Sequence, residues 1–261
     1  MPQIAPQVLV TKVGYLATLT LNEPAQRNPL SLAMLTAMRA ALDEIAHSDA
    51  RVLVVAASGK AFCAGHDLKE MRANPSQGWQ QSLFSLCSEV MLALTRLPQP
   101  TIARVQGMAT AAGCQLVSAC DLAVASEDAT FATSGVNLGL FCSTPSVGVS
   151  RNLSRKRAME LLLTGDFISA AQAMEYGLLN RVVPAAQLDA EIEIISRKIA
   201  HKSPTAIRLG KALFYKQIEA TLPEAYALAA EVMAQNMQSE DAQGGIDAFI
   251  AKAPMPDWKG I

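Results

Sequence analysis

Residues 101–126 read "TIARVQGMATAAGCQLVSACDLAVAS", and the fold turns on how this stretch is parsed. "TIARV" (101–105) and "DLAVAS" (121–126) are short apolar runs of strand length. Between them Ala111, Ala112 and Gly113 open a helix whose first turn carries no bulky side chain. Strand, helix and strand in succession make a crossover unit, which joins parallel strands. A bare helix start also leaves backbone N–H groups open to a ligand. The first sizeable polar side chain inside the turn is Gln115, an amide rather than an acid.

Upstream, "VLVVAA" (52–57) is a continuous apolar run, the mark of a strand buried on both faces. "VLVTKVGYLATLTLN" (8–22) alternates apolar and polar residues around Gly14 and predicts a β-hairpin. Ser31 caps a helix whose Leu32, Leu35, Met38, Leu42 and Ile45 share one face. A longer helix spans roughly 79–96 and ends at Pro98 and Pro100. Beyond about residue 145 the pattern turns helical. "SAAQAMEYG" (169–177) carries a capping box from Ser169 to Gln172 and a terminal glycine, "TLPE" (221–224) opens another box, and only "RVV" (181–183) looks extended. The division expected is an α/β core over 1–190 and a helical region over 191–261. Apolar positions such as Ile192, Ile195, Ile199, Leu209, Leu213, Leu228 and Val232 make that region a cap or an oligomer interface.

The chain has 261 residues, 51% of them hydrophobic and 17% charged, so a large core is expected and disorder is not. A net charge of −1 gives no electrostatic case for nucleic acid or an anionic membrane surface. The opening "MPQIAPQVLV" lacks a basic region followed by an apolar stretch, so no secretory signal is expected. No run approaches the ~18 apolar residues of a membrane span. The cysteines, at 63, 87, 114, 120 and 142, include no CxxC pair and predict buried reduced thiols in a cytoplasmic protein, with no metal site. No G-x-G-x-x-G occurs, which disfavours a dinucleotide site.

"KAFCAGHDLKEM" (60–71) follows the strand 52–57 as "ATAAGCQL" follows 101–105. In a parallel sheet both loops gather at the strands' C-terminal edge, where ligands bind. Each loop can serve close packing alone. Together they can aim one N–H apiece at a single oxygen and polarise a carbonyl.

Taken together these stretches resemble the crotonase, or enoyl-CoA hydratase/isomerase, superfamily. "LTLNEPAQRNPLS", "KAFCAGHDLKEM", "ATAAGCQLVSACDLAVASEDATFA", "LLLTGDFISAAQAMEYGLLNRVVP" and "IDAFIAK" fall in the family's order across nearly the whole chain. The resemblance implies the ClpP/crotonase-like α/β spiral of ββα units with a C-terminal helical trimerisation region. It implies a homotrimer, or a hexamer made as a dimer of trimers. It further implies an acyl-CoA thioester as substrate, with coenzyme A entering as part of that substrate and no tightly bound cofactor. The oxyanion hole then falls to the N–H groups of His66 and Ala112. The loop "PAQRN" (24–28), through Ala25, Gln26 and Arg27, together with Phe62, Cys63 and Ala64, would hold the nucleotide. Phe249 and Lys252 of a neighbouring subunit would also reach it. Alternatively, they are a packed phenylalanine and a solvated lysine.

Family hydratases add water with two glutamates, and the matching positions here are Gln115 and Gly135. An amide does not ionise near neutral pH and glycine offers no group, so true hydration is doubtful. Decarboxylation, isomerisation, thioester hydrolysis and inert acyl-CoA binding stand as alternatives. "GHD" (65–67) with "VNLG" (136–139) is similar to the family's methylmalonyl-CoA decarboxylases, although the tyrosine expected after "VNLG" is absent. His66 either acts on the ligand or turns away from it. Met71, Phe141, Cys142 and Ser143 are candidates for the acyl pocket. In the alternative, Ser143 or Thr144 caps a helix with Pro145 in its first turn. A Cys142–His66 nucleophile pair is a further option. Asp67 is either a helix cap or a base, and Asp121 is read as structural.

Overall fold

The computed structural model describes residues 6–260. The opening five residues, part of the stretch read as lacking a secretory signal, lie outside the described residues. The hairpin forms as β1 (Val8–Val13) and β2 (Leu16–Leu21), turning at Gly14 with φ 57°. The next strands are β3 (Val52–Ala57), β4 (Thr101–Val105), β5 (Ala109–Thr110), β6 (Leu122–Ser126) and β7 (Thr130–Ala132), followed by β8 (Ile168–Ser169) and β9 (Arg181–Val183). The larger sheet runs β1-β2-β3-β4-β6-β9, parallel everywhere except the hairpin. A small second sheet, β5-β7-β8, stands beside it.

The apolar run of β3 is explained by its two covered faces. Leu53 and Val55 point with Leu19, Leu21, Ala103 and Val105 into the main core. There they meet α1 (Leu32–Ala46), α3 (Gln77–Arg96) and α4 (Ala112–Ala119), the last buried at every position. Val52 and Val54 point the other way with Ile102 and Val124, under Leu188 and Ile192 of α8 (Leu188–Ala200). Ile195 and Ile199 pack on the same cluster, so the first face of the helical region is buried on its own core. Ser31 accepts from the Met34 N–H and caps α1, and both expected capping boxes are present, at Ser169 on α7 (Ala170–Tyr176) and at Thr221 on α10 (Leu222–Met237).

One cap differs. Between β7 and α7 lie a 3-10 turn, Ser134–Leu138, then α5 (Ser143–Asn152) and α6 (Arg155–Thr164). The N-cap of α5 is Cys142, with no side-chain cap bond, and not Ser143 or Thr144. Ser143 is already helical because Ser146 N–H closes the first turn onto the Cys142 carbonyl at 2.9 Å.

The chain then continues through α9 (Pro204–Gln217), α10 and α11 (Glu240–Ile250). Asp121 ties α9 to the core. Its carboxylate accepts from Lys211 Nζ at 2.7 Å, Tyr215 OH at 2.7 Å and the Thr101 N–H at 2.7 Å. Lys211 also donates to the carbonyls of Leu94 and Gln99, which satisfies its three protons. Asp121 is thus structural, as its place at a strand start suggests. No helix among the described residues is long and apolar enough to cross a membrane.

Candidate active site

The loops after β3 and β4 are fastened to each other. Thr110 N–H donates to the Cys63 carbonyl at 3.0 Å, and Cys63 forms a parallel bridge with Ala109. The approach at Gly113 is so close that a Cβ there would lie 2.3 Å from the Cys63 oxygen. A Cβ at Gly65 would come within 3.3 Å of Ala112 N. Ala111 enters α4 at φ 51°, a left-handed value that costs a non-glycine residue about 1–3 kcal/mol. Its N–H is held by the Ala132 carbonyl at 2.9 Å. The backbone N–H groups of His66 and Ala112 have no acceptor among the described residues. Two unengaged donors on abutting loops are the kind of groups that stabilise a developing oxyanion.

Asp67 accepts from the Lys69 and Glu70 N–H groups at 2.8 and 3.1 Å and caps α2 (Leu68–Ala73), so its carboxylate is committed. His66 lies at 2.9 Å from the Leu30 carbonyl through Nδ1, which must donate because a carbonyl only accepts. Its ring stands edge-on to Phe84 of α3 at 5.3 Å, and Nε2 is buried with no partner. Burial lowers the imidazole's pKa against the opposing pull of the Leu30 carbonyl. Gln115 is buried, its Oε1 lying 4.0 Å from the Cys87 thiol on the same helix α3.

Gly135 lies next to Ser134, whose hydroxyl meets that of Thr110 at 2.7 Å just before α4. The Gly135 N–H donates to Cys142 Sγ at 3.3 Å. A Cβ at Gly135 would lie 2.5 Å from the Leu140 carbonyl oxygen and 2.9 Å from that sulfur. Any side chain at 135 therefore collides with the 140–142 turn. The Cys142 thiol takes its bond from Gly135 rather than from His66, and burial pushes its pKa up, both against a nucleophile. Phe141 and Ser143 face outward on either side of it, while Met71 packs against the main core. The five cysteines are all buried free thiols.

The nucleotide-loop candidates come together in part. Ala25, Gln26 and Arg27 are exposed on and beside a 3-10 turn, and Ala64 N–H donates to the Arg27 carbonyl at 3.0 Å. Phe62 and Cys63 are fully buried core side chains whose N–H groups both point to the Met108 carbonyl. Their side chains therefore serve the core, and their N–H groups hold the two loops together. Phe249 is exposed on α11, which packs on α10, and Lys252 follows it at φ 52°. Within one chain the two do not join the loop.

The organising role of one residue in the 24–28 loop was not read from the sequence. Asn28, buried at φ 54°, accepts from Glu23 N–H and donates to the carbonyls of Ser58 and Ala61. It ties the 24–28 loop to the one after β3. The available signal was an Asn just before Pro29, a pair that favours a turn.

The enoyl-CoA hydratase/isomerase family model matches residues 12–260. The chain is 45% identical over 259 residues to the mitochondrial enoyl-CoA hydratase domain-containing protein 3 of Rattus norvegicus, covering 98% of this chain and 86% of that protein. It is 32% identical to a short-chain-enoyl-CoA hydratase of Clostridium acetobutylicum, covering 97% of each. Among solved structures, an enoyl-CoA hydratase of Mycobacterium smegmatis superposes with TM-score 0.96 at 53% identity, covering 97% of this chain and 99% of that one. Human enoyl-CoA hydratase domain-containing protein 3 superposes with TM-score 0.93 at 44% identity over 96% and 99% of the two chains. The crotonase fold is thereby shown. The cytoplasmic expectation is corrected by the vertebrate relatives, whose names place them in mitochondria. Thiol chemistry separates reducing from oxidising compartments and does not single out the cytoplasm among the reducing ones.

Proposed function

This chain belongs to the enoyl-CoA hydratase/isomerase family, and on that premise we propose that it binds an acyl-CoA thioester and stabilises its enolate without adding water efficiently. The observation that carries the reading is the pair of unengaged N–H groups, His66 and Ala112, on loops fastened by the Thr110–Cys63 bond. A thioester oxygen between them gains two hydrogen bonds that strengthen as negative charge develops. The nucleotide end lies along Ala25–Arg27 and the backbone of Ala64. Coenzyme A enters with the substrate.

Water addition needs an acid and a base, and Gln115 with Gly135 supplies neither. We expect crotonyl-CoA hydration at least ~100-fold below that of a family member with both glutamates. Polarisation should persist and be visible as a red-shifted absorbance of a conjugated acyl-CoA. Ala112→Pro deletes one donor and, in protein that folds, should cost about 3–4 kcal/mol of oxyanion stabilisation. An unchanged spectral shift in folded Ala112→Pro protein would remove the second loop from the site.

A further inference from the structure

An enolate forms between two N–H groups only when some group takes a proton from the carbon beside the carbonyl. Around the paired loops most ionisable groups are already committed. Asp67 caps α2, and Glu70 Oε2 accepts from the Leu32 N–H at 3.0 Å. Burial pushes the thiols of Cys63, Cys87 and Cys114 up to about 12. Cys142 is held by Gly135 N–H, and Gln115 does not ionise. His66 is the group left.

Its tautomer suits a base. The Leu30 carbonyl fixes the proton on Nδ1, so the lone pair is on Nε2. That nitrogen is buried and has no partner, a state that calls for an explanation in a packed protein. Phe84 holds the ring, and Cys87, one turn further along α3, touches Gln115. His66 and Gln115 thus stand against neighbouring turns of one helix, both beside the start of α4. Burial also keeps the imidazole in its neutral, proton-accepting form.

Resting on the acyl-thioester reading, we infer that Nε2 of His66 is the proton acceptor for the carbon next to the thioester carbonyl. The Cα–H bond breaks and an N–H bond forms at Nε2. The electron pair passes into the enolate, whose oxygen lies between the N–H groups of His66 and Ala112. The imidazolium then returns a proton to Cα, or to the γ carbon of an unsaturated acyl chain, which moves the double bond. No other reactant is required. The substrate class is an acyl-CoA with a hydrogen on Cα, and the chemistry is proton exchange or isomerisation.

The test follows the Cα protons of butyryl-CoA by NMR in D2O, alongside the red shift of a conjugated acyl-CoA. His66→Asn keeps the backbone N–H and can still donate to Leu30, but has no basic nitrogen. We expect exchange with the unaltered protein, at least ~100-fold slower exchange with His66→Asn, and the same red shift in both. Equal exchange rates, or a red shift without exchange in the unaltered protein, overturn the role of His66 and leave the oxyanion reading standing. Neither red shift nor exchange overturns both. Should His66→Asn not fold, the 15N spectrum of labelled histidine in the unaltered protein decides. An unprotonated Nε2 whose signal moves with butyryl-CoA supports the assignment. A protonated Nε2, or one that the ligand does not move, overturns it.

Discussion

Gly135 shows how a single residue closes off a chemistry. Restoring an acid there is the obvious experiment on the sequence alone, yet the Leu140 carbonyl and the Cys142 sulfur occupy the space that a Cβ needs. Cys142→Ala removes the sulfur but leaves the backbone oxygen in place. Gly135→Ala should therefore destabilise by about 1–3 kcal/mol through overpacking, and Gly135→Glu should do at least as much harm. Neither is expected to gain hydratase activity, alone or with Gln115→Glu. Thermal unfolding and a crotonyl-CoA assay check both halves. A stable, hydrating Gly135→Glu protein would show that the 140–142 turn moves aside freely. Gln115 differs in kind. It is already a large side chain, so Gln115→Glu changes charge rather than volume.

Secondary-structure elements were legible to the degree that each carried its own pattern. β3 is a continuous apolar run between two covered faces, β4 is a short strand whose Ile102, Ala103 and Val105 are buried, and α1 shows a clear helical face, so each could be placed from the sequence. The second sheet could not. β5 and β8 have two residues each and β7 has three, too short for any period to show. The paired small-residue loops were legible because they follow two such strands. Asn28 was not, since a buried amide joining three backbone groups leaves no periodic trace. The docking of α9 was also hidden, because it rests on Lys211 and Tyr215 meeting Asp121, which lies far from them in sequence. Lys211→Met should leave Asp121 and two carbonyls short of a donor and cost about 3 kcal/mol. Tyr215→Phe removes one hydrogen bond to a charge and should cost about 1.5–3 kcal/mol. Urea unfolding midpoints should fall for both, and unchanged midpoints would mean that apolar packing alone holds α9.

At the scale of the whole molecule, the helices of the C-terminal region differ in how much they bury. α8 buries its apolar face on the core, but α10 has no buried residue along its length. Leu222, Tyr226, Met233 and Met237 of α10 are all exposed, the first two at 70% and 72%. At about 100° per residue the four fall within about 60° of one another, a single apolar stripe. Phe214 and Ile218, at the end of α9, are exposed as well. Contiguous apolar surface of this kind marks a contact with another molecule. A second copy of the chain is the partner that the family resemblance implies, as a trimer or a pair of trimers. The same resemblance implies that in a closed ring one chain's Phe249 and Lys252 would reach the 24–28 loop of the next. Light scattering should therefore give a mass of three or six times 27.7 kDa. Leu222→Glu with Tyr226→Glu should break the assembly while leaving the core folded, since neither side chain is buried in the chain itself. The dissociated protein should also bind coenzyme A more weakly, with the N–H pair of His66 and Ala112 intact. A single-chain mass for the unaltered protein, with full acyl-CoA affinity, would show that each chain completes its own site.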